Sequence, residues 1–430
     1  MIHYLFDCKN PHNQYIDIHV VFVATETQHE IQLPAWRPGR YELGNFAKNV
    51  KGFKIVCENK LVVSTKITKD RWRVETEIGK IYTIKYQYYA AELNAGSTYF
   101  STEQLYVNPV NCCVYVEGMQ QLPCEVELNV PKNYQIACGL PLQNEKLIAK
   151  NFDELADSPW IASANLKHDF YVVNDVKFNL WFQGECKPDL DKIKEDFTKF
   201  TQKQVDKFGE FPFEEYHFFF QITPKNAYHG VEHQNSTVIY LGPSHSLMTT
   251  NYTELLGVSS HELYHAWNVK SIRPIELFPY DFTKENYSQL GYLCEGVTTY
   301  MGDAMLYRSG VFSLQQYFKE FEKQLKKHFD NFARFTTNVA ESSFDTWLDG
   351  YVAGAPNRKL SIYTEGCLLA FAVDVLLLKH TNGKHRLDDV MKRLYFDFYL
   401  QNKGVSEQDY WNVIRNFVGD KLDYVYEEYY

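Results

Sequence analysis

The stretch "GVSSHELYHAWNVKSIRP", residues 257–274, holds the run His261-Glu262-Leu263-Tyr264-His265. Two histidines four apart on a helix stand slightly more than one turn apart. Both imidazoles then leave the same face and can share one metal ion. Glu262 falls beside them, near the metal but not bound to it. There it can take a proton from a water that zinc polarises. The flanking residues support a helix, with Leu255, Val258 and Leu263 at helical spacing and Thr253 as the expected N-cap. A second candidate helix follows in "LCEGVTTYMGD", and its Glu295 is the candidate third ligand. Two His and one Glu with an open fourth position form a catalytic zinc set. The plain alternative is that His261 and His265 are helix-surface residues.

About thirty residues earlier, "YHGVEHQNS" carries the inverted order, His229-Gly-Val-Glu-His233. That order also needs a helix to bring its histidines together. Here Pro, Asn and Gly precede a β-branched run, so the segment reads as loop into strand. A strand holds residues four apart too far from each other to share an ion. The inverted motif is therefore not the expected metal site. Glu232 instead reads as a carboxylate on an edge strand beside the cleft, suited to a substrate's free α-amino group. The plain alternative is a surface Glu in a turn.

Outward from these motifs, a chain of 430 residues suits two or three domains. Aromatics at 16% argue for folded structure rather than disorder. The net charge of −10, with no basic tract, excludes nucleic acid as an expected partner. No stretch approaches the roughly 20 apolar residues of a membrane span. The start "MIHYLFDCKNPHNQ" lacks the pattern of a secretory signal. Nine scattered cysteines without a CxxC pair read as reduced, so a cytoplasmic protein is expected.

Residues 1–165 show period-two alternation in "QYIDIHVVFVAT", "WRVETEI" and "YTIKYQYYAA", and are expected to form an antiparallel β-sandwich. "LPAWRPGRY", residues 33–41, reads as a packed Pro/Gly corner. Residues 166–250 read as a mixed sheet, with an amphipathic helix capped by Asp189 and ended by Gly209. Residues 251–430 read as helical, with further helices over 305–335, 361–380, 386–400 and 406–430.

"HELYHAWNVKSIRP" followed by "ENYSQLGYLCEGVTTYMGD" resembles the glycyl aminopeptidase family, thermolysin-like zinc peptidases related to aminopeptidase N. The family pattern places its third ligand thirty residues after the second His, where Glu295 stands. "LPAWRPGRYELGNFAKNV" and "NFDELADSP" resemble segments of the family's N-terminal domain. "HGVEHQNS" is similar to the amine-binding strand, which marks Gly230, Glu232 and His233 as substrate contacts. "LSIYTEGCLLAFAVD" is similar to the family's helix start, whose tyrosine donates to the oxyanion; here it is Tyr363. From the residues alone Tyr363 reads as a core tyrosine.

The resemblance implies a multidomain α+β protein: a β-sandwich over 1–165 and a thermolysin-like peptidase domain over 166–430. It implies one zinc ion per chain and peptide substrates with a free N-terminus, beginning with Gly or Ala. Departures are Ile362, Glu365, Ser271 and Thr299. Asp303 is considered in place of Thr299 as a partner of a zinc histidine. The family commonly carries a PDZ domain toward the C-terminus, and this chain, ending "YVYEEYY", is expected to lack it. Two rivals remain at this point: a zinc endopeptidase, and a catalytically dead peptide-binding protein. The oligomeric state is not legible.

Overall fold

The structure is a computed structural model and describes residues 1–351 and 357–429. The N-terminal part holds three sheets. The largest has eight strands, with Tyr15–Val23 and Ile81–Tyr89 at its centre. Tyr15–Val23 alternates buried and partly exposed side chains, the pattern of a sheet covered on one face only. Pairing is antiparallel except that Ile2–Asp7 runs parallel to Cys124–Asn129. Two four-stranded sheets complete this part, and the buried rings of Phe6, Phe22, Trp72 and Trp160 lie in one shared core.

A five-stranded sheet follows, in the order Lys167–Val173, Val176–Gln183, Glu215–Ile222, Ser236–Gly242, Ala227–Glu232. The middle strand, "EYHFFFQI", is buried almost throughout. That explains its unbroken apolar run, because both faces of this sheet are covered. The helix Leu190–Phe208 links the second strand to the third. As expected, Asp189 accepts from the Lys192 amide at 3.1 Å, and Gly209 ends it with φ +94°. Ala227–Glu232 is the edge strand and pairs antiparallel to its one neighbour. Trp181, Phe219, Val231 and Val238 of this sheet pack against Ala95, Tyr106, Ala137 and Ile161. The 33–41 loop meets the end of the edge strand, with Gly39 against the Glu232 side chain.

The C-terminal half is helical, with boundaries that differ from the sequence reading. The expected 305–335 helix is two: Thr298–Arg308 and Leu314–Asp330. Gly310, at φ +79°, breaks the chain between them, and a Ser313/Gln316 capping box restarts it. Val339–Asp349 is an additional helix, its first turn held by Asn338, which accepts from the Glu341 amide at 2.7 Å. The 406–430 segment divides at Gly419 into Glu407–Val418 and Leu422–Tyr429. The HELYH helix is Tyr252–Tyr264 and starts from Asn251, not Thr253. Among the described residues no helix is long and apolar enough to cross a membrane.

Candidate active site

The HELYH helix, the edge strand, the 33–41 loop and three later helices converge on a cleft of about 760 Å³. His261 and His265 sit at the end of the HELYH helix. Their Nε2 atoms lie 3.0 Å apart. Glu295 Oε2 is 3.6 Å from the first and 3.4 Å from the second. Two ligands of one tetrahedral zinc, each 2.0–2.1 Å from the ion, stand roughly 3.4 Å apart. The triangle fits that requirement, and the two-imidazole, one-carboxylate donor set suits zinc.

The surroundings fix these groups. His265 Nδ1 donates to the Asn268 carbonyl at 2.6 Å, which leaves Nε2 for a metal. Asn268 Nδ2 in turn donates to the Leu293 carbonyl at 2.9 Å, tying the turn after the helix to the segment that carries Glu295. Glu295 lies in a π-helical turn, Tyr292–Val297, a distortion frequent at functional sites. Thr299 Oγ1 donates to Glu295's own carbonyl at 2.8 Å. Among the described residues Asp303 lines the cleft but makes no hydrogen bond to either imidazole, and the partner of His265 Nδ1 is the Asn268 carbonyl.

Three buried carboxylates share this small space. Among the described residues, Glu232 and Glu262 each have an oxygen without a hydrogen-bond partner. Burial pushes the Glu262 carboxyl up; His265 opposes this, and Glu232 and Glu295 add to it. Glu295 goes the other way. Burial alone would raise it, but the His265 and His261 imidazoles hold it below the usual carboxylate range. The environments thus separate a group that can carry a proton from one that stays charged.

Glycines define the walls. Gly230 and Glu232 are two apart on the edge strand and share a face. A Cβ on Gly230 would stand 2.1 Å from Glu262 Oε1. A Cβ on Gly39, at φ +80°, would stand 2.2 Å from Glu232 Oε1. Gly230→Ala is expected to displace the Glu262 carboxylate and lower kcat/KM about a hundredfold, since displacements near 1 Å cost that much. Steady-state kinetics beside a thermal melt would show activity lost in a protein that still folds.

Tyr363 is the second residue of the helix Ile362–His380 and lines the cleft. A Cβ on Gly296 would stand 2.3 Å from Gly366 Cα, so two glycines let this helix cross tightly against the Glu295 segment. Burial, then the Glu295 charge and Tyr351, raise its phenol well above the usual range, which keeps it a proton donor. Tyr351, its hydrogen-bond partner, donates to the Gly39 carbonyl at 3.2 Å.

His233 was expected beside the substrate, but it does not line the cleft. Its ring is buried, with Nδ1 3.0 Å from Asp157 Oδ1. Asp157 also accepts from Lys270 Nζ at 3.0 Å and from the Gln234 amide at 2.9 Å. So "NFDELADSP", the turn after His265 and the end of the edge strand meet at one carboxylate. Burial would raise the Asp157 pKa, but Lys270 and His233 bring it down to about 2. A depressed pKa contributes stability that is complete above the unfolded value near 4 and disappears as pH falls through the folded value near 2. Asp157→Asn is expected to cost on the order of 3 kcal/mol at pH 7, because it leaves Lys270 buried without its counter-charge. Melts from pH 7 to pH 2 should show the gap to the wild type closing below about pH 4.

Sequence reasoning missed the 33–41 loop, which it took for a packed corner. Arg37 and Gly39 line the cleft. Trp36 and Tyr41 line a smaller cavity of about 30 Å³ that Glu232 and Glu295 also border. Trp347 closes it, its ring 5.7 Å from Trp36 and 6.0 Å from Tyr41. Pro38-Gly39 between two arginines was the available signal. Trp347 gave none, since it lies in the additional helix.

Comparison with known proteins agrees with this geometry. The family model of the peptidase M61 N-terminal domain matches residues 3–164, and that of the M61 glycyl aminopeptidase matches residues 254–369. No curated protein sequence matches the chain. Among solved structures, an aminopeptidase N family protein from Idiomarina loihiensis is 28% identical with a TM-score of 0.96, over 100% of this chain and 76% of that one. An M1 zinc metallopeptidase from Deinococcus radiodurans is 12% identical with a TM-score of 0.59, over 100% of this chain and 92% of that one, a likeness of fold alone. With both M61 models matched over more than half of its length, the chain belongs to the M61 glycyl aminopeptidase family and is a metallo-aminopeptidase.

Proposed function

We propose that the protein is a zinc aminopeptidase that removes an N-terminal Gly or Ala, and that residues 1–165 and 166–430 form its two domains. His261, His265 and Glu295 would hold one zinc ion. Zinc bound there would polarise the scissile carbonyl and acidify the attacking water. Glu262 takes that water's proton and passes it to the leaving amine. Tyr363 donates to the oxyanion that develops on the substrate. Glu232 pairs with the α-ammonium, and Gly230 leaves room for Glu262 and for the substrate backbone. His233 acts at one remove, holding the end of the edge strand through Asp157.

The observation that carries this reading is Glu232: a buried carboxylate with an oxygen lacking any partner among the described residues, at the end of an edge strand and beside the three-residue candidate set. Such a group is costly to bury alone and calls for a cation. The cavity next to it is small, about 30 Å³, which supports a small first residue. The M1 enzyme of similar fold has been crystallised as a mutant bound to a Tyr-Ser-Ala substrate. A peptide substrate is consistent with that likeness.

The test is hydrolysis of a glycine anilide, its alanine and leucine analogues, and the N-acetylated glycine compound, with and without chelator. The expected result is chelator-sensitive release from glycine and alanine only. Metal analysis should give one zinc per chain, lost in His265→Ala. Cleavage of the acetylated compound would replace this reading with an endopeptidase. No release from any compound by zinc-loaded protein would replace it with a peptide-binding protein.

A further inference from the structure

Arg37 is 5% exposed, yet it lines the cleft. Among the described residues no carboxylate pairs with it. Its hydrogen bond is to the neighbouring Pro38 carbonyl, at 3.4 Å. Arg40, three residues on, is by contrast neutralised by Glu42. A guanidinium this buried is stable only with an anion or several acceptors, so an unpaired one in a cleft marks an anion site.

The guanidinium is held in place. A Cβ on Gly96 would stand 2.5 Å from Arg37 Nη2, and Asn111 fixes that loop by donating to the Gly96 carbonyl at 2.9 Å. The charge of Arg37 is felt at His229, whose pKa falls to about 4 through burial first, then Arg37 and Arg40. Arg37 and His229 line the same cleft. Lys323 and Lys327 also line the cleft, but both are exposed to solvent, and Lys323 is paired with Glu320.

The order of groups along the edge strand gives direction. Glu232 is at its end, Gly230 faces Glu262, and His229 comes before them. A peptide whose amine meets Glu232 puts its first carbonyl opposite Gly230. The chain beyond the scissile bond then passes His229 and Arg37. From residue 232 to 229 the strand advances roughly 10 Å. An extended di- or tripeptide spans about 7–10 Å from amine to carboxylate.

We propose that Arg37 binds the C-terminal carboxylate of di- and tripeptides, so that the enzyme is built for short peptides. This rests on the aminopeptidase reading above. Substrate length is then read from both ends, the amine at Glu232 and the carboxylate at Arg37.

The test compares Gly-Ala and Gly-Ala-Ala with their C-terminal amides, in zinc-loaded wild type, Arg37→Gln and Arg37→Lys. Wild type should favour the acids by about tenfold or more in kcat/KM, chiefly through KM. Arg37→Gln should bring the ratio to within about twofold, and Arg37→Lys should restore part of it. Equal rates for acid and amide in the wild type would overturn the proposal, as would an unchanged ratio in Arg37→Gln. Calorimetry of the same four peptides with Glu262→Gln protein measures carboxylate recognition without turnover. If the acids bind more tightly than the amides while no substrate is cleaved, Arg37 keeps its role and the aminopeptidase reading fails. If the glycine anilide is cleaved without any acid preference, the aminopeptidase reading stands and the carboxylate site fails.

Discussion

Glu262→Gln is expected to lower kcat by about a thousandfold or more, within the range assigned to a positioned general base. Gln keeps the shape of Glu, and the Gly230 wall that touches Oε1 would still seat it. It cannot accept a proton at neutral pH. The side chain is 5% exposed, and its Oε2 has no partner. Burial, with Glu232 and Glu295, already pushes the Glu262 carboxyl up toward its neutral form, so a neutral amide changes little in the folded protein. The variant should therefore melt close to the wild-type temperature and bind the same metal. Loss of turnover with an unchanged Tm separates a chemical role from a structural one. A variant that keeps more than about a tenth of wild-type kcat would remove Glu262 as the base.

The closeness of the two histidines in the candidate metal triangle was legible because helix geometry converts a spacing of four directly into a distance. His261 and His265 needed nothing beyond the helical pattern around them. Glu295 was legible only as a candidate from its helix, and the resemblance fixed its spacing. Its π-helical turn has no periodic signature, so the sequence offered an ordinary helix there. The strand at 227–232 was legible from Pro, Asn and Gly ahead of a β-branched run, and this kept His229 and His233 apart. The ion pair that holds His233 away from the cleft was not legible, because its partners are distant in the chain. Asp157 lies 76 residues before it, and Lys270 is brought in by the turn after His265. The roles of Arg37, Gly39 and Trp36 depend on packing between the N-terminal sheets and the edge strand. Packing of that kind leaves no local pattern. The helix Val339–Asp349 was lost for a different reason. Ser342, Ser343 and Thr346 are among its buried residues, so its inner face carries hydroxyls where an apolar stripe is the usual mark.

Glu232→Gln is expected to lower kcat/KM for glycine substrates by about a hundredfold to a thousandfold, with little change in the weak binding of N-acetylated ones. Truncating one partner of a desolvated charge pair costs roughly 2–5 kcal/mol, and each 1.4 kcal/mol is a factor of ten. The site supports the upper part of that range. Glu232 is 6% exposed, the Gly39 loop closes over it, and one of its oxygens is unpartnered. An ammonium ion seated there would meet little competing water. Part of the loss should fall on kcat, because an amine that is not fixed leaves the scissile carbonyl free to drift from Glu262 and Tyr363. The free protein should gain stability, since one of three crowded carboxylates becomes neutral. The ratio of the affinities for free and acetylated glycine anilide, read for the acetylated compound as competitive inhibition, is the quantity to measure. A ratio that collapses in Glu232→Gln assigns amine recognition to this residue. A ratio that survives would place the amine elsewhere, and Glu232 would then act only through its field on Glu262.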